Sequence, residues 1–111
     1  MKEILEMSVE EVNAEKDKYI LVDVREPHEL NSPLGHIEGS ILATLGLDLI
    51  RFLETADPDK EYVFICRSGY RSRKACEMAY TSGISNAYNL KGGMQACNEW
   101  MRSQGNRLLI S

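Results

Sequence analysis

One stretch of this sequence concentrates reactive chemistry: Cys66-Arg67-Ser68-Gly69-Tyr70-Arg71-Ser72-Arg73. Three arginines follow the thiol within seven residues, in a chain whose formal net charge is -4. A cysteine reacts as its thiolate, and nearby positive charge favours that form. In a turn freed from sheet pairing, consecutive backbone N–H groups can face one point and make an anion-binding nest. The positive end of a following helix reinforces it. Gly69 supplies the backbone freedom a tight cradle needs. A lone cysteine at a strand end is most often a small buried apolar residue. Apolar packing, however, gives no reason for the arginines. Cys66 is therefore read as a nucleophile. Arg67, Ser68, Gly69, Tyr70 and Arg71 are read as the loop that holds an anion against it, Tyr70 through its backbone N–H.

Such a loop works only if a strand delivers the thiol and a helix starts beyond it. Tyr62-Val63-Phe64-Ile65-Cys66 is a continuous β-branched and aromatic run, and Tyr19-Ile20-Leu21-Val22-Asp23-Val24 is a second. Runs of this kind suit strands buried on both faces of a parallel sheet. A shorter strand is predicted at 86–90 and a weaker one at 40–42. Helices are predicted from Ser8, which opens a capping box with Glu11, through about Ala14, and around 47–52, over 72–80 and over 94–103. Gly83 falls at the C-terminal cap of the third, and Gly105 near the stop of the last. Strand–helix alternation implies an α/β domain with a mostly parallel sheet. Ligands bind such sheets beyond the carboxyl ends of the strands, which is where Cys66 lies.

A length of 111 residues, 43% of them apolar and 27% charged, fits one soluble globular domain over 1–111. The acidic balance argues against nucleic acid or a membrane surface as partner. No signal-like or membrane-spanning apolar run is visible, so the expected location is the cytoplasm. Three cysteines at 66, 76 and 97 form neither a disulfide framework nor a Cys-x-x-Cys metal pair. Cys76 and Cys97 are read as packing residues.

The loop 66–72 resembles the active-site loop of rhodanese-type sulfurtransferases. Three further segments resemble that family in its order: Asp23-Val24-Arg25-Glu26-Pro27-His28-Glu29, Gly35-His36-Ile37-Glu38-Gly39-Ser40-Ile41 and Leu90-Lys91-Gly92-Gly93-Met94. The resemblance runs from about 7 to 105. It implies a rhodanese-like α/β fold, with a central parallel five-stranded sheet and helices on both faces. The implied activity moves a sulfane sulfur from thiosulfate, or a persulfide or polysulfide donor, to a thiophilic acceptor such as cyanide or a thiol. A Cys66 persulfide would be the intermediate, with no metal or organic cofactor. The implied partners are a small anionic donor and its acceptor, or a protein sulfur acceptor in a relay. Asp23, Arg25 and Glu29 become a supporting set that orients the loop, with an Arg25–Glu29 ion pair expected. His36 has no base to serve beside a thiolate its loop already stabilises, so turn or packing duty is expected.

Related folds use a cysteine in a similar loop for phosphatase or arsenate-reducing chemistry. There five residues separate the cysteine from the arginine; here four do, Arg67 through Tyr70. The shorter cradle suits a persulfide sulfur rather than a phosphoryl group. A non-catalytic binding or regulatory module is the remaining alternative, and retention of Cys66 weighs against it.

Overall fold

The computed structural model describes residues 3–104. The expected helix stop near Gly105 and the tail Leu108-Leu109-Ile110 lie outside them. The chain runs β1 (Leu5–Met7), α1 (Val9–Ala14), a 3-10 turn at Lys16–Lys18, β2 (Ile20–Asp23), a 3-10 turn at Pro27–Asn31, β3 (Ile41–Leu42), α2 (Leu47–Thr55), β4 (Tyr62–Ile65), α3 (Tyr70–Thr81), β5 (Ala87–Leu90) and α4 (Gly93–Gln104). The strands form one sheet in the order β1-β5-β4-β2-β3, and every pairing is parallel. This is the five-stranded α/β architecture expected. The capping box is also present: Glu11 N donates to Ser8 Oγ (3.1 Å) and Ser8 N to Glu11 Oε1 (2.8 Å).

β4 occupies the middle of the sheet, and all four of its residues are buried. Its alternation splits the core into two layers. Tyr62, Phe64 and Cys66 point to the side covered by α2 and α3, among Val22, Leu49, Leu53, Ala75, Cys76 and Ala79. Val63 and Ile65 point to the other, with Val12 of α1 and Met94, Cys97 and Met101 of α4. Burying each of the large side chains stabilises the fold by about 1.5–3 kcal/mol, so the central strand is the firmest platform available. No described helix is long and apolar enough to cross a membrane.

The chain leaves β2 toward β3 at one edge, but leaves β4 toward β5 on the other side. The crevice between these divergent exits, beyond the carboxyl ends of β2 and β4, is where an open α/β sheet has room for a ligand. Cys66 and the segment from Asp23 to Glu29 both open onto it. The main differences from the sequence reading are β1 and the two 3-10 turns, which it did not assign, and α3, which begins two residues earlier, at Tyr70.

Candidate active site

Cys66 is 1% exposed at the end of β4. Gly69 follows in the left-handed region (φ 105°) as the cap of α3, a conformation that L side chains rarely adopt. The turn brings Gly69 N to 3.0 Å from Cys66 Sγ and Ser72 Oγ, in the first turn of α3, to 3.3 Å. Burial alone pushes the thiol up. The Ser72 hydroxyl and the N–H groups of Ser72, Gly69 and Ser68 outweigh that and bring it below its ordinary value. Neutral donors aimed at the sulfur therefore do what the sequence reading gave jointly to the arginines. Cys76 and Cys97, both fully buried, receive no such donors. Burial pushes their thiols up to about 12 and about 11.

α4 fixes the loop from behind. Met94 N donates to Cys66 O (2.8 Å) and Gln95 N to Arg67 O (3.0 Å), so two otherwise unpaired N–H groups at the helix start bind the loop's carbonyls. Because a trans peptide places N–H opposite C=O, turning these carbonyls toward α4 turns the N–H groups of Arg67 and Ser68 the other way. Contact this close requires Gly93: a Cβ there would collide with Cys66 O and lie 2.7 Å from the Arg67 carbonyl carbon and oxygen.

The arginines have separate duties. Arg67 is exposed and forms no ion pair among the described residues, which leaves its charge available at the mouth. Arg71 is engaged by Glu29 in a two-pronged pair, Nη1 to Oε2 at 2.7 Å and Nη2 to Oε1 at 2.8 Å. Arg73 lies 3.5 Å from Glu6. Tyr70 presents an 82% exposed side chain at the rim.

The expected Arg25–Glu29 ion pair is replaced by two others. Arg25 and Asp23 form a buried pair, each side chain 1% exposed, with Arg25 Nη2 2.8 Å and Nε 3.2 Å from Asp23 Oδ2. Arg25 also donates to the backbone oxygens of Gly35 (2.8 Å) and Glu29 (3.3 Å). It meets Glu29 through the main chain, leaving the Glu29 carboxylate for Arg71. The result is a continuous brace: Asp23 holds Arg25, Arg25 holds the turn that carries Glu29, and Glu29 holds Arg71 in the loop. His36 has the expected turn role, its Nδ1 3.4 Å from Leu30 O.

Hydrogen bonds from Arg71 hold Glu29 at about 2 against the opposing effect of burial, with help from the Glu26 N–H and the charges of Arg71 and Arg25. The ordinary value is 4.5, so the folded state is the more acidic one. The stabilisation is complete above about pH 4.5 and is lost as pH falls toward 2. Glu29→Gln is expected to be less stable than wild type at pH 7, with the difference shrinking through that window. Urea midpoints at pH 7 and pH 3 measure it.

Two residues of the site escaped the sequence reading, Ser72 and Asn89. Asn89 is 1% exposed on β5, paired in register with Phe64, and its side chain meets Ser72 Oγ. A usable signal existed: an amide inside a strand predicted to be covered on both faces must have a buried partner. Among the described residues no cluster of His, Cys, Asp or Glu is placed to hold a metal ion.

The rhodanese-like domain model matches residues 8–99. The chain belongs to the rhodanese-like domain family. Among its relatives, a Bacillus subtilis protein named "Putative sulfurtransferase YtwF" is 41% identical over 87 residues, covering 78% of this chain and 80% of its own. The "Thiosulfate:glutathione sulfurtransferase" of Saccharomyces cerevisiae is 34% identical over 101 residues, covering 80% and 69%. A crystal structure of a rhodanese-related protein from Thermoplasma volcanium superposes with a TM-score of 0.71 at 28% identity, covering 93% of this chain and 95% of that one. A sulfurtransferase role for this rhodanese-like chain follows from its family and its named relatives.

Proposed function

We propose that the chain takes a sulfane sulfur from thiosulfate, or from a persulfide or polysulfide, and delivers it to cyanide or a thiol through a persulfide on Cys66. The observation that carries this reading is the buried Cys66 sulfur facing the donors of Ser68, Gly69 and Ser72. In the first step the Cys66 thiolate attacks the outer sulfur of thiosulfate. A Cys66–sulfur bond forms, the sulfur–sulfur bond of thiosulfate breaks, and sulfite leaves with the bonding pair. In the second step cyanide attacks the terminal sulfur of the persulfide; thiocyanate leaves and the thiolate returns. Both steps conserve charge and electrons without metal or organic cofactor.

Donors fixed before reaction stabilise anionic sulfur without reorganising, and Arg67 draws the anionic donor to the mouth. Arg71, occupied by Glu29, keeps the loop in shape. The four-residue spacing from Cys66 to Arg71 favours sulfur over a phosphoryl group. The name of the yeast relative supports thiosulfate as donor and a thiol as acceptor. Three free buried cysteines suit a reducing compartment such as the cytoplasm.

Purified protein given thiosulfate and cyanide is expected to form thiocyanate well above the uncatalysed rate. After thiosulfate alone, its intact mass is expected to rise by one sulfur atom. If neither occurs, the proposal fails. Robust turnover of an aryl phosphate would redirect it to phosphoryl chemistry, and retention of a protein partner without either activity would favour a binding module.

A further inference from the structure

Ser72 has a single hydroxyl proton and two acceptors. Its Oγ lies 3.3 Å from Cys66 Sγ and also makes a short hydrogen bond to Asn89 Oδ1. The Asn89 amide cannot turn over to suit Ser72, because its Nδ2 donates to Glu6 Oε2 (3.0 Å) and to the Gly69 carbonyl (3.2 Å). Both are pure acceptors and would face an oxygen if the amide flipped. Glu6 is in turn anchored 3.5 Å from Arg73. Asn89 Oδ1 can only accept, so it competes with the sulfur for one proton.

We propose that Asn89 is a positioning residue for the sulfur chemistry. Held by Glu6 and Gly69, its carbonyl keeps the Ser72 proton while Cys66 is a neutral thiol or a persulfide, and yields it when the thiolate forms. In the neutral thiol, the S–H can donate to the lone pair that Ser72 turns toward it. In the persulfide, Cys66 Sγ is bonded to two heavy atoms and accepts poorly, so the proton returns to Asn89. Only the bare thiolate draws the hydroxyl across. Each time it does, the buried Asn89 carbonyl loses its partner, which costs free energy. Asn89 thus opposes the thiolate through Ser72, while Ser72 itself supports it. The two neighbours act in opposite directions on the same sulfur. This deepens the sulfur-transfer reading and rests on it for the persulfide state. The thiol–thiolate part is measurable with no sulfur donor.

Besides Arg67 of the loop itself, the charged groups tied to this site by ion pairs or hydrogen bonds are Arg71 and Arg73 of α3, Asp23 at the end of β2, Arg25 and Glu29 beyond it, and Glu6 of β1. The variants leave all of them in place. The rate of Cys66 alkylation by iodoacetamide is followed against pH, with the modified residue located by mass. Ser72→Ala is expected to raise the pH midpoint. Asn89→Leu is expected to lower it, each by about 0.5–1 in pH for one neutral hydrogen bond. In a Ser72→Ala background, Asn89→Leu is expected to change nothing. Asn89→Ala serves the same comparison if the leucine variant does not fold. An Asn89 variant that leaves the midpoint in place or raises it overturns the proposal. So does a lowering that persists without Ser72, since Asn89 would then act by holding Gly69. Normal thiocyanate formation with no such pattern sinks this inference alone; the pattern without thiocyanate formation sinks the reading of sulfur transfer and with it the persulfide state, leaving only the thiol–thiolate part.

Discussion

Cys66→Ser is expected to form thiocyanate at the background rate, a loss of roughly 10⁴-fold or more, as for other enzymes deprived of a covalent nucleophile. Serine keeps the size and the donors: Gly69 N and Ser72 Oγ would face its hydroxyl where they now face sulfur. Its alkoxide is out of reach at neutral pH, and an oxygen at this position cannot carry sulfane sulfur. Stability is expected to change little, so an unfolding curve near that of wild type separates lost chemistry from lost structure. The variant also tests the other thiols. With Cys76 at about 12 and Cys97 at about 11, each is a thiolate less than about one time in a thousand at pH 7.5. Both are also buried away from solvent. Sulfur still added to the Cys66→Ser protein by thiosulfate would mean that one of them reacts, and that the donor-lined loop is not what confers reactivity.

The largest loss of stability is expected from Arg25→Met. It leaves the Asp23 carboxylate at 1% exposure with its cation gone, and frees the carbonyls of Gly35 and Glu29 that the guanidinium had paired. Breaking a buried pair from one side costs about 3–5 kcal/mol. That is a large part of the total stability of a small domain. Urea unfolding would record it as a lower midpoint with an unchanged slope. The double variant Arg25→Met/Asp23→Leu removes the orphaned charge and is expected to recover part of the loss. A double variant as damaged as the sum of the two singles would show that the pair is not coupled. Because Arg25 also carries the turn bearing Glu29, the single variant should reduce sulfur transfer under conditions where the protein remains folded.

The sequence revealed most where residue type itself carries the information. The run Tyr62-Val63-Phe64-Ile65 is a central strand in any parallel sheet, and Cys66, Gly69 and the arginines announce an anion-binding turn. Contacts made by register were much less visible. β1 is three residues, Leu5-Glu6-Met7, with Leu5 and Glu6 exposed; pairing with Tyr88, Asn89 and Leu90, rather than propensity, makes it a strand. The resemblance pairs Glu29 with Arg25, four residues away in sequence, whereas its ionic partner is 42 residues away. Ser72 and Asn89 look like an ordinary helix residue and an ordinary strand residue. They meet because β5 lies beside β4 and brings Asn89 level with Phe64. Local chemistry was therefore readable, and its support across the sheet was not.

The grip of α4 on the loop also bears on the order of synthesis. Cys66 leaves the ribosome well before β5 and α4, and the chain ahead of it can already form β2 and β3. Until residues 87–95 follow, β4 lacks one neighbour, and no helix start holds the carbonyls of Cys66 and Arg67. Those carbonyls, and the N–H groups opposite them, are free to turn either way. The loop geometry that turns its N–H groups toward Cys66 is therefore locked only once the start of α4 has docked behind it.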